Sequence, residues 1–229
     1  MSEKIRNLFG QISGKYDLLN DLLSFGIHRL WRKTAVRQSA CSKGDKVLDL
    51  AAGTGDLSIE FFHKTGADGK VVATDFCPDM LVLAEEKFKK LGLPIETKQV
   101  DALAIDYPDN SFDIVSIGFG IRNVDSIELC LLELARVLKP GGKAVVLEFG
   151  KPQGFFKIIF DLYSRIMMPL MGKIFLRNGS AYDYLRSSSA KFPCREAFTD
   201  IMRITGKFKN IRFSALSRGI AYIYIGERK

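Results

Sequence analysis

No two of the four cysteines, Cys41, Cys77, Cys130 and Cys194, stand closer than 36 residues. The chain therefore has neither a CxxC redox pair nor the spacing of a zinc site, and no metal is expected. A chain of 229 residues buries enough surface to fold without disulfides, so free buried thiols in a reducing compartment are the expectation. The opening stretch MSEKIRNLFGQISGKYD lacks both an apolar core and an Arg/Ser-rich presequence, which argues for a cytoplasmic location. No apolar run approaches the ~18–20 residues that a membrane-spanning helix needs. Internal repeats and low-complexity tracts are missing too. Acidic residues are scarce in one place only. Residues 1–150 hold 19 Lys/Arg and 21 Asp/Glu, whereas residues 151–229 hold 15 and 5. The net charge of +8 thus belongs to the last third. Such a field attracts nucleic acid or an anionic membrane surface, and charge alone does not choose between them.

What is present reads as alternating strands and helices. The first 40 residues are helical in pattern, with Leu18, Leu19, Leu22 and Leu23, then Leu30, Trp31 and Val36, at helical spacing. Short apolar runs follow at Lys46–Leu50, Lys70–Thr74, Ile95–Val100, Phe112–Ile117 and Lys143–Phe149, which predict strands. Helices are expected between them over Asp56–Lys64, Pro78–Leu91 and Ser126–Leu138, the second opening on Pro78. The turn Lys139-Pro140-Gly141-Gly142 should stop the third helix. Strands this apolar imply a parallel sheet covered on both faces. Residues 194–205 look helical, and Asn210–Ala215 with Gly219–Gly226 predict a closing antiparallel hairpin. Gly154–Leu176 breaks the alternation. It is rich in aromatics and methionine and interrupted by Lys157, Asp161, Arg165 and Lys173, a pattern that suits an interfacial helix, a ligand cover or a helix packed on the core.

The strongest local signal is Val47-Leu48-Asp49-Leu50-Ala51-Ala52-Gly53-Thr54-Gly55-Asp56-Leu57. An apolar strand ends in a small-residue loop and a helix begins at once. Gly53 and Gly55 allow a tight turn and a close backbone approach, and the helix N-terminus offers free N–H groups to an anion. Ser58 stands where the dinucleotide fingerprint requires its third glycine, so NAD is disfavoured and a ligand with a smaller anion, an amino-acid carboxylate, fits better. Asp75, at the end of the second strand, is placed to accept two ribose hydroxyls. Asp101-Ala102, after the third, is placed to meet an adenine amino group. The register of these three at successive strand ends is more specific than any of them singly.

Further motifs carry a resemblance. Tyr16-Asp17, Asn20-Asp21 and Ser24-Phe25-Gly26-Ile27-His28-Arg29-Leu30-Trp31 form one; Phe119-Gly120-Ile121-Arg122-Asn123-Val124 a second; Arg136-Val137-Leu138-Lys139-Pro140-Gly141-Gly142 with Leu147-Glu148-Phe149 a third; Tyr182-Asp183-Tyr184-Leu185 a fourth. Together they resemble the ubiquinone/menaquinone biosynthesis C-methyltransferase family over nearly the whole chain. The resemblance implies a Rossmann-like class I methyltransferase fold in one α/β domain over 1–229: a mostly parallel seven-stranded sheet with an antiparallel C-terminal strand, a helical lid at 1–40 and a substrate- or membrane-side insertion at 151–190. It implies S-adenosylmethionine as cofactor, held at Thr54, Asp75, Asp101, Ala102 and Gly118. The implied partners are a lipid-tailed quinol, demethylmenaquinol or the ubiquinol precursor, and the inner face of the cytoplasmic membrane, with no nucleic acid and with a homodimer left open. Four positions depart from the family pattern: Ala52 replaces a frequent glycine, Gly118 and Gly150 stand where serine is common, and Phe192 where histidine is usual.

Methylating a quinol carbon requires loss of a phenolic proton whose pKa is about 10. Arg122 is expected to stabilise the quinolate electrostatically and Asn123 to orient its oxygen, the bland alternative for Arg122 being a structural ion pair. Tyr16 and His28 are further candidates from the lid, His28 as a base or as a packing residue. His63 reads as surface and Trp31 as core. Two competing functions are a nucleic-acid methyltransferase and a non-catalytic cofactor-binding module. The first is weakened by Ile117-Gly118-Phe119-Gly120, which stands where an Asn/Asp-Pro-Pro-aromatic motif would be needed.

Overall fold

The strand alternation builds a sheet whose two faces bury different residues of the same strand. In the computed structural model, which describes residues 16–175 and 180–229, the strands are β1 Lys46–Leu50, β2 Lys70–Asp75, β3 Glu96–Gln99, β4 Phe112–Gly118, β5 Leu138–Phe149, β6 Phe208–Leu216 and β7 Ala221–Arg228. Their order is β3-β2-β1-β4-β5-β7-β6. The pairs β1–β2, β1–β4, β2–β3 and β4–β5 are parallel, and β7 runs antiparallel to both neighbours. This is the expected mixed sheet.

The helices are α1 Tyr16–Ser24, α2 Ile27–Gln38, α3 Asp56–Thr65, α4 Pro78–Leu91, α5 Ile127–Val137, α6 Gly154–Phe175, α7 Ser180–Lys191 and α8 Glu196–Ile204. Period-two alternation sends Leu48, Val115 and Val146 to one face with Leu131 and Leu134 of α5 and Phe198 of α8. Val47, Ile114 and Val145 go to the other, with Trp31 of α2, Phe61 of α3 and Phe88 of α4. Phe192 is core, 5.2 Å from the Phe198 ring. Trp31 is core as expected and His63 is exposed. Cys41, Cys77 and Cys130 are buried free thiols, whereas Cys194 is half-buried.

Several boundaries differ from the sequence reading for physical reasons. The N-terminal pattern splits at Phe25 and Gly26, both left-handed at φ 50° and 73°, so α1 and α2 are separate helices. The Lys139–Gly142 turn lies within β5, because Leu138 already pairs with Phe112 and the Pro-Gly-Gly residues form an irregularity before Lys143 pairs with nearby Ile114. Helix α7 has no helical signal in SAYDYLRSSSAK, whose serines compete locally with the helix backbone. Helix α6 covers the anomalous segment, and no described helix is long and apolar enough to cross a membrane.

Candidate active site

The loops after β1, β2, β3 and β4 meet along the C-terminal edge of the parallel strands. After β1 the chain needs two left-handed turns: Ala51 takes φ 50°, an uncommon value for a residue with a Cβ, and Gly53 and Gly55 take 57° and 83°. At Gly55 the crowding comes from α4, since a Cβ there would lie 2.2 Å from Phe88 Cζ. Ser58, in place of a third glycine, donates to Asp49 Oδ2 at 2.6 Å, and Ser116 donates to Oδ1 at 2.6 Å. Burial nevertheless raises the Asp49 carboxyl to about 6, against the pull of both hydroxyls. This aspartate braces β1, α3 and β4 from below the loop.

Asp75 closes β2. Its Oδ2 accepts from the Gly53 N–H at 2.9 Å and its Oδ1 from the Cys77 N–H at 2.8 Å. Burial pushes its pKa up, opposed by those amides. Each oxygen keeps a second lone pair, so the carboxylate is fixed in place and able to receive a vicinal diol. Asp101 is anchored likewise, taking the Leu103 N–H at 3.0 Å, with half-buried Ala102 beside it. Gly118 ends β4; a Cβ there would stand 3.0 Å from Leu57 Cδ2, so the serine of relatives would press on α3. The serine common at 150 would meet the Tyr222 ring at 2.3 Å. The donor set, a carboxylate for a diol, a second carboxylate one strand on and helix-start amides for an anion, fits an adenosyl amino acid such as S-adenosylmethionine.

Thr54 reaches outward. Its Oγ1 donates to Asp17 Oδ1 of α1 at 2.6 Å, and Lys87 Nζ of α4 bridges Asp17 and Asp56 at 2.6 and 2.8 Å. Arg32 of α2 holds the other Asp56 oxygen at 2.7 Å. Burial of Asp56 is outweighed by Arg32 and Lys87, which keep it below the ordinary carboxylate range. Four elements are thereby tied to the glycine loop. The pairing of Asp17 and Asp56 with Thr54, Arg32 and Lys87 escapes a sequence reading, because partners 37 or 70 residues apart carry no spacing signal.

On the other side of Gly118, Phe119 (φ 55°) turns the chain into a 3₁₀ turn, Ile121–Asn123. Arg122 Nη1 donates to the Phe119 carbonyl and to Glu148 Oε1, the latter at 2.6 Å, with the two side chains only 5% and 0% exposed. Its Nε is buried and has no partner among the described residues. The guanidinium lies 5.3 Å from the Phe149 ring, which packs 4.5 Å from Phe119. Burial raises Glu148, and Arg122 opposes this. Asn123, also buried, accepts the Tyr184 hydroxyl at Oδ1 over 2.9 Å. Burial raises the Tyr184 phenol, so it remains a donor at neutral pH. Arg122, Asn123 and Tyr184 are thus brought together. His28 is not part of that group: its Nδ1 meets Ser24 Oγ at 2.5 Å and its Nε2 stands 3.6 Å from Asp21. Burial lowers its pKa to about 4. Tyr16 opens α1, but its side chain lies outside the described residues, as does that of Tyr182.

Seven strands in this order, with a glycine loop and two anchored aspartates at successive strand ends, define a class I methyltransferase that uses S-adenosylmethionine. Solved structures share the fold. A possible histamine N-methyltransferase from Thermotoga maritima superposes with a TM-score of 0.69 at 19% identity, over 97% of this chain and 99% of that one. Phosphoethanolamine N-methyltransferase 2 of Haemonchus contortus, in complex with S-adenosyl-L-methionine, gives 0.63 at 16% identity, over 86% and 52%. The chain belongs to the ubiE/COQ5 methyltransferase family, which matches residues 1–228. Several relatives carry the name ubiquinone/menaquinone biosynthesis C-methyltransferase UbiE. The Bdellovibrio bacteriovorus protein is 48% identical over 99% of this chain and 97% of its own length, and that of Francisella philomiragia 41% over 98% and 90%.

Proposed function

We propose that the chain methylates a ring carbon of a lipid-tailed quinol in respiratory quinone biosynthesis, demethylmenaquinol or the ubiquinol precursor. The observation that carries this is the buried Arg122–Glu148 pair beside Asn123 and Tyr184, one strand from the cofactor loop. When bound, S-adenosylmethionine supplies an electrophilic methyl group. The chain's own residues must hold the quinol so that its carbon is electron-rich. Asn123 has its oxygen committed to Tyr184, which leaves its amide N–H groups for a quinol oxygen. The buried Arg122 Nε–H, without a partner among the described residues, is a second donor that developing quinolate charge would draw on once the substrate is seated. Glu148 neutralises the guanidinium and fixes its plane, so the stabilisation is local hydrogen bonding and not a bare cation. Gly53, Thr54, Gly55, Asp75, Asp101, Ala102 and Gly118 form the cofactor cradle in this reading. Helices α1 and α2 act as a lid, in which His28 positions α1 against α2, and Tyr16 is kept as a substrate-side candidate from the sequence.

The substrate resides in lipid, so the enzyme works peripherally at the inner face of the cytoplasmic membrane, through the 151–190 segment. Ile158, Leu162 and Ile166 recur every four residues on one exposed face of α6, flanked by exposed Lys157 and Arg165. Lys173 and Arg177 lie outside the described side chains. Methyl transfer from labelled cofactor to naphthoquinol and benzoquinol head groups in vesicles, assayed side by side, tests the function. Turnover with one or both is expected, and none with either would overturn it.

A further inference from the structure

A cavity of about 520 Å³ lies between the end of β5, the first half of α6 and the end of α7. Its walls are largely apolar, with Phe149, Phe160 and Ile220 among them, and Lys151 and Lys157, both exposed, stand at its margin. The proposed cofactor cradle uses none of it, since its residues stand at the ends of β1, β2, β3 and β4 and none of them lines the cavity. Two features tie the cavity to the reaction centre. The Phe149 ring forms part of its wall and is also the ring that Phe119 and the Arg122 guanidinium pack against. Helix α7 serves both places: Tyr184 bonds Asn123, and Ser189, five residues further on, lines the cavity. Five residues carry the helix roughly 7–8 Å along its axis and about 140° around it, so α7 borders the reaction centre on one side and the cavity on another.

Helix α6 roofs the same space. Lys157, Phe160, Asp161 and Ser164 face the cavity, while Ile158, Leu162 and Ile166 are exposed on its outward side. A chain leaving a lipid surface beneath the outward face would thus reach the cavity past the two margin lysines. The size lies within the roughly 300–1,000 Å³ of small-molecule sites, enough for a limited length of hydrocarbon and not for a whole polyprenyl chain.

We propose that this cavity seats the ring-proximal part of the substrate's hydrocarbon tail and so selects tailed over tail-less quinols. The assignment rests on the quinol reading above. An apolar chain in an apolar pocket is favoured by leaving water, and the ring is then held at the Asn123 end by its oxygen and at the cavity end by its tail. The lining carries Lys151, Lys157 and Arg195 against Asp161 alone, so hydrocarbon is favoured by the apolar walls and an anion by the charge, and the test separates the two.

The test compares one quinol head group carrying no tail, one prenyl unit, two units and a long tail, with labelled S-adenosylmethionine. For the wild-type chain, kcat/KM should rise over the first units and then level off. Ser189→Phe and, from the opposite wall, Ser164→Phe should each fill the cavity. Each should lower kcat/KM for the tailed quinols roughly 10–100-fold while leaving the tail-less quinol and cofactor affinity unchanged, which also certifies that the variants fold. A wild-type rate independent of tail length, or equal losses on tailed and tail-less substrates, overturns the cavity assignment alone. Competition by inorganic phosphate without tail dependence would assign the site to anions and overturn it as well. A wild-type chain that methylates neither head group overturns the quinol reading and this inference with it.

Discussion

Asp49 shows how one buried carboxylate couples the cofactor loop to pH. Its pKa stands near 6 in the fold against an ordinary 3.8, with burial the main cause. The folded state therefore binds this proton more tightly than the unfolded chain does. Stability from this residue is fully present below about pH 4 and is lost as pH rises to about 6, on the order of 2–3 kcal/mol by linkage. Urea unfolding of wild type and Asp49→Asn, compared from pH 4 to 7, should show the asparagine variant gaining relative stability across that window. A constant difference would place the charge elsewhere. Asp75→Ala should weaken S-adenosylmethionine binding by about 2–3 kcal/mol, because it removes the diol acceptor and frees the Gly53 amide that shapes the loop. Calorimetry reads this, and unchanged affinity would remove Asp75 from the site. Arg122 calls for a paired design. Removing it leaves Glu148 buried without a counter-charge, a loss of about 3–5 kcal/mol. Arg122→Ala alone is therefore expected to destabilise the fold as well as slow turnover. Arg122→Met with Glu148→Met should recover stability but not activity, and recovery of activity too would reduce Arg122 to a structural role.

Among the elements, α1 is docked through Thr54 of the glycine loop itself. Asp17 accepts from Thr54 and from Lys87 and so clamps the helix over the loop. Asp17→Ala should leave turnover at saturating cofactor little changed while raising the cofactor dissociation rate roughly tenfold, about 1.4 kcal/mol. Stopped-flow displacement measures this, and an unaltered rate would detach α1 from cofactor retention. The same scale shows what sequence reading captures. Strands β1, β2 and β4 and helices α3 to α5 were legible to within a residue or two, because both-face burial writes continuous apolar runs and amphipathic helices write their period. Helix α7 was not, since its sequence is poor in helix-forming contrast and its placement depends on Tyr184 reaching Asn123. The early start of β5 was hidden for a similar reason: Pro140 and Gly141 advertise a turn, and only pairing with β4 makes them part of a strand.

Across the whole molecule, the basic last third of the chain also carries one exposed apolar stripe, Ile158, Leu162 and Ile166 of α6. Phe25 (75% exposed) also sits 6.0 Å from the Tyr163 ring of α6, extending the stripe of Ile158, Leu162 and Ile166. Docking on anionic vesicles should gain ~1 kcal/mol per basic residue near the surface and weaken with salt, screened over ~10 Å at 0.1 M. Leu162→Ser with Ile166→Ser should reduce vesicle sedimentation without altering cofactor affinity. Equal recovery with neutral and anionic vesicles, alongside tight RNA binding, would turn the basic third toward nucleic acid.

Local pattern in the sequence determined the class of fold, the glycine loop, and the acidic residues at the ends of β2 and β3, because strand burial and tight turns are written in neighbouring residues. The motif around Arg122 and Asn123 was visible there too, but not what those side chains do. Only the tertiary structure decided that Arg122 pairs with Glu148, that Asn123 is held by Tyr184, that His28 meets Ser24 with its pKa lowered by burial, and that Asp17 accepts from Thr54 of the loop. Each of those depends on residues brought together from distant strands and helices, and burial, which sets both pKa and hydrogen-bond worth, exists only once the chain has folded.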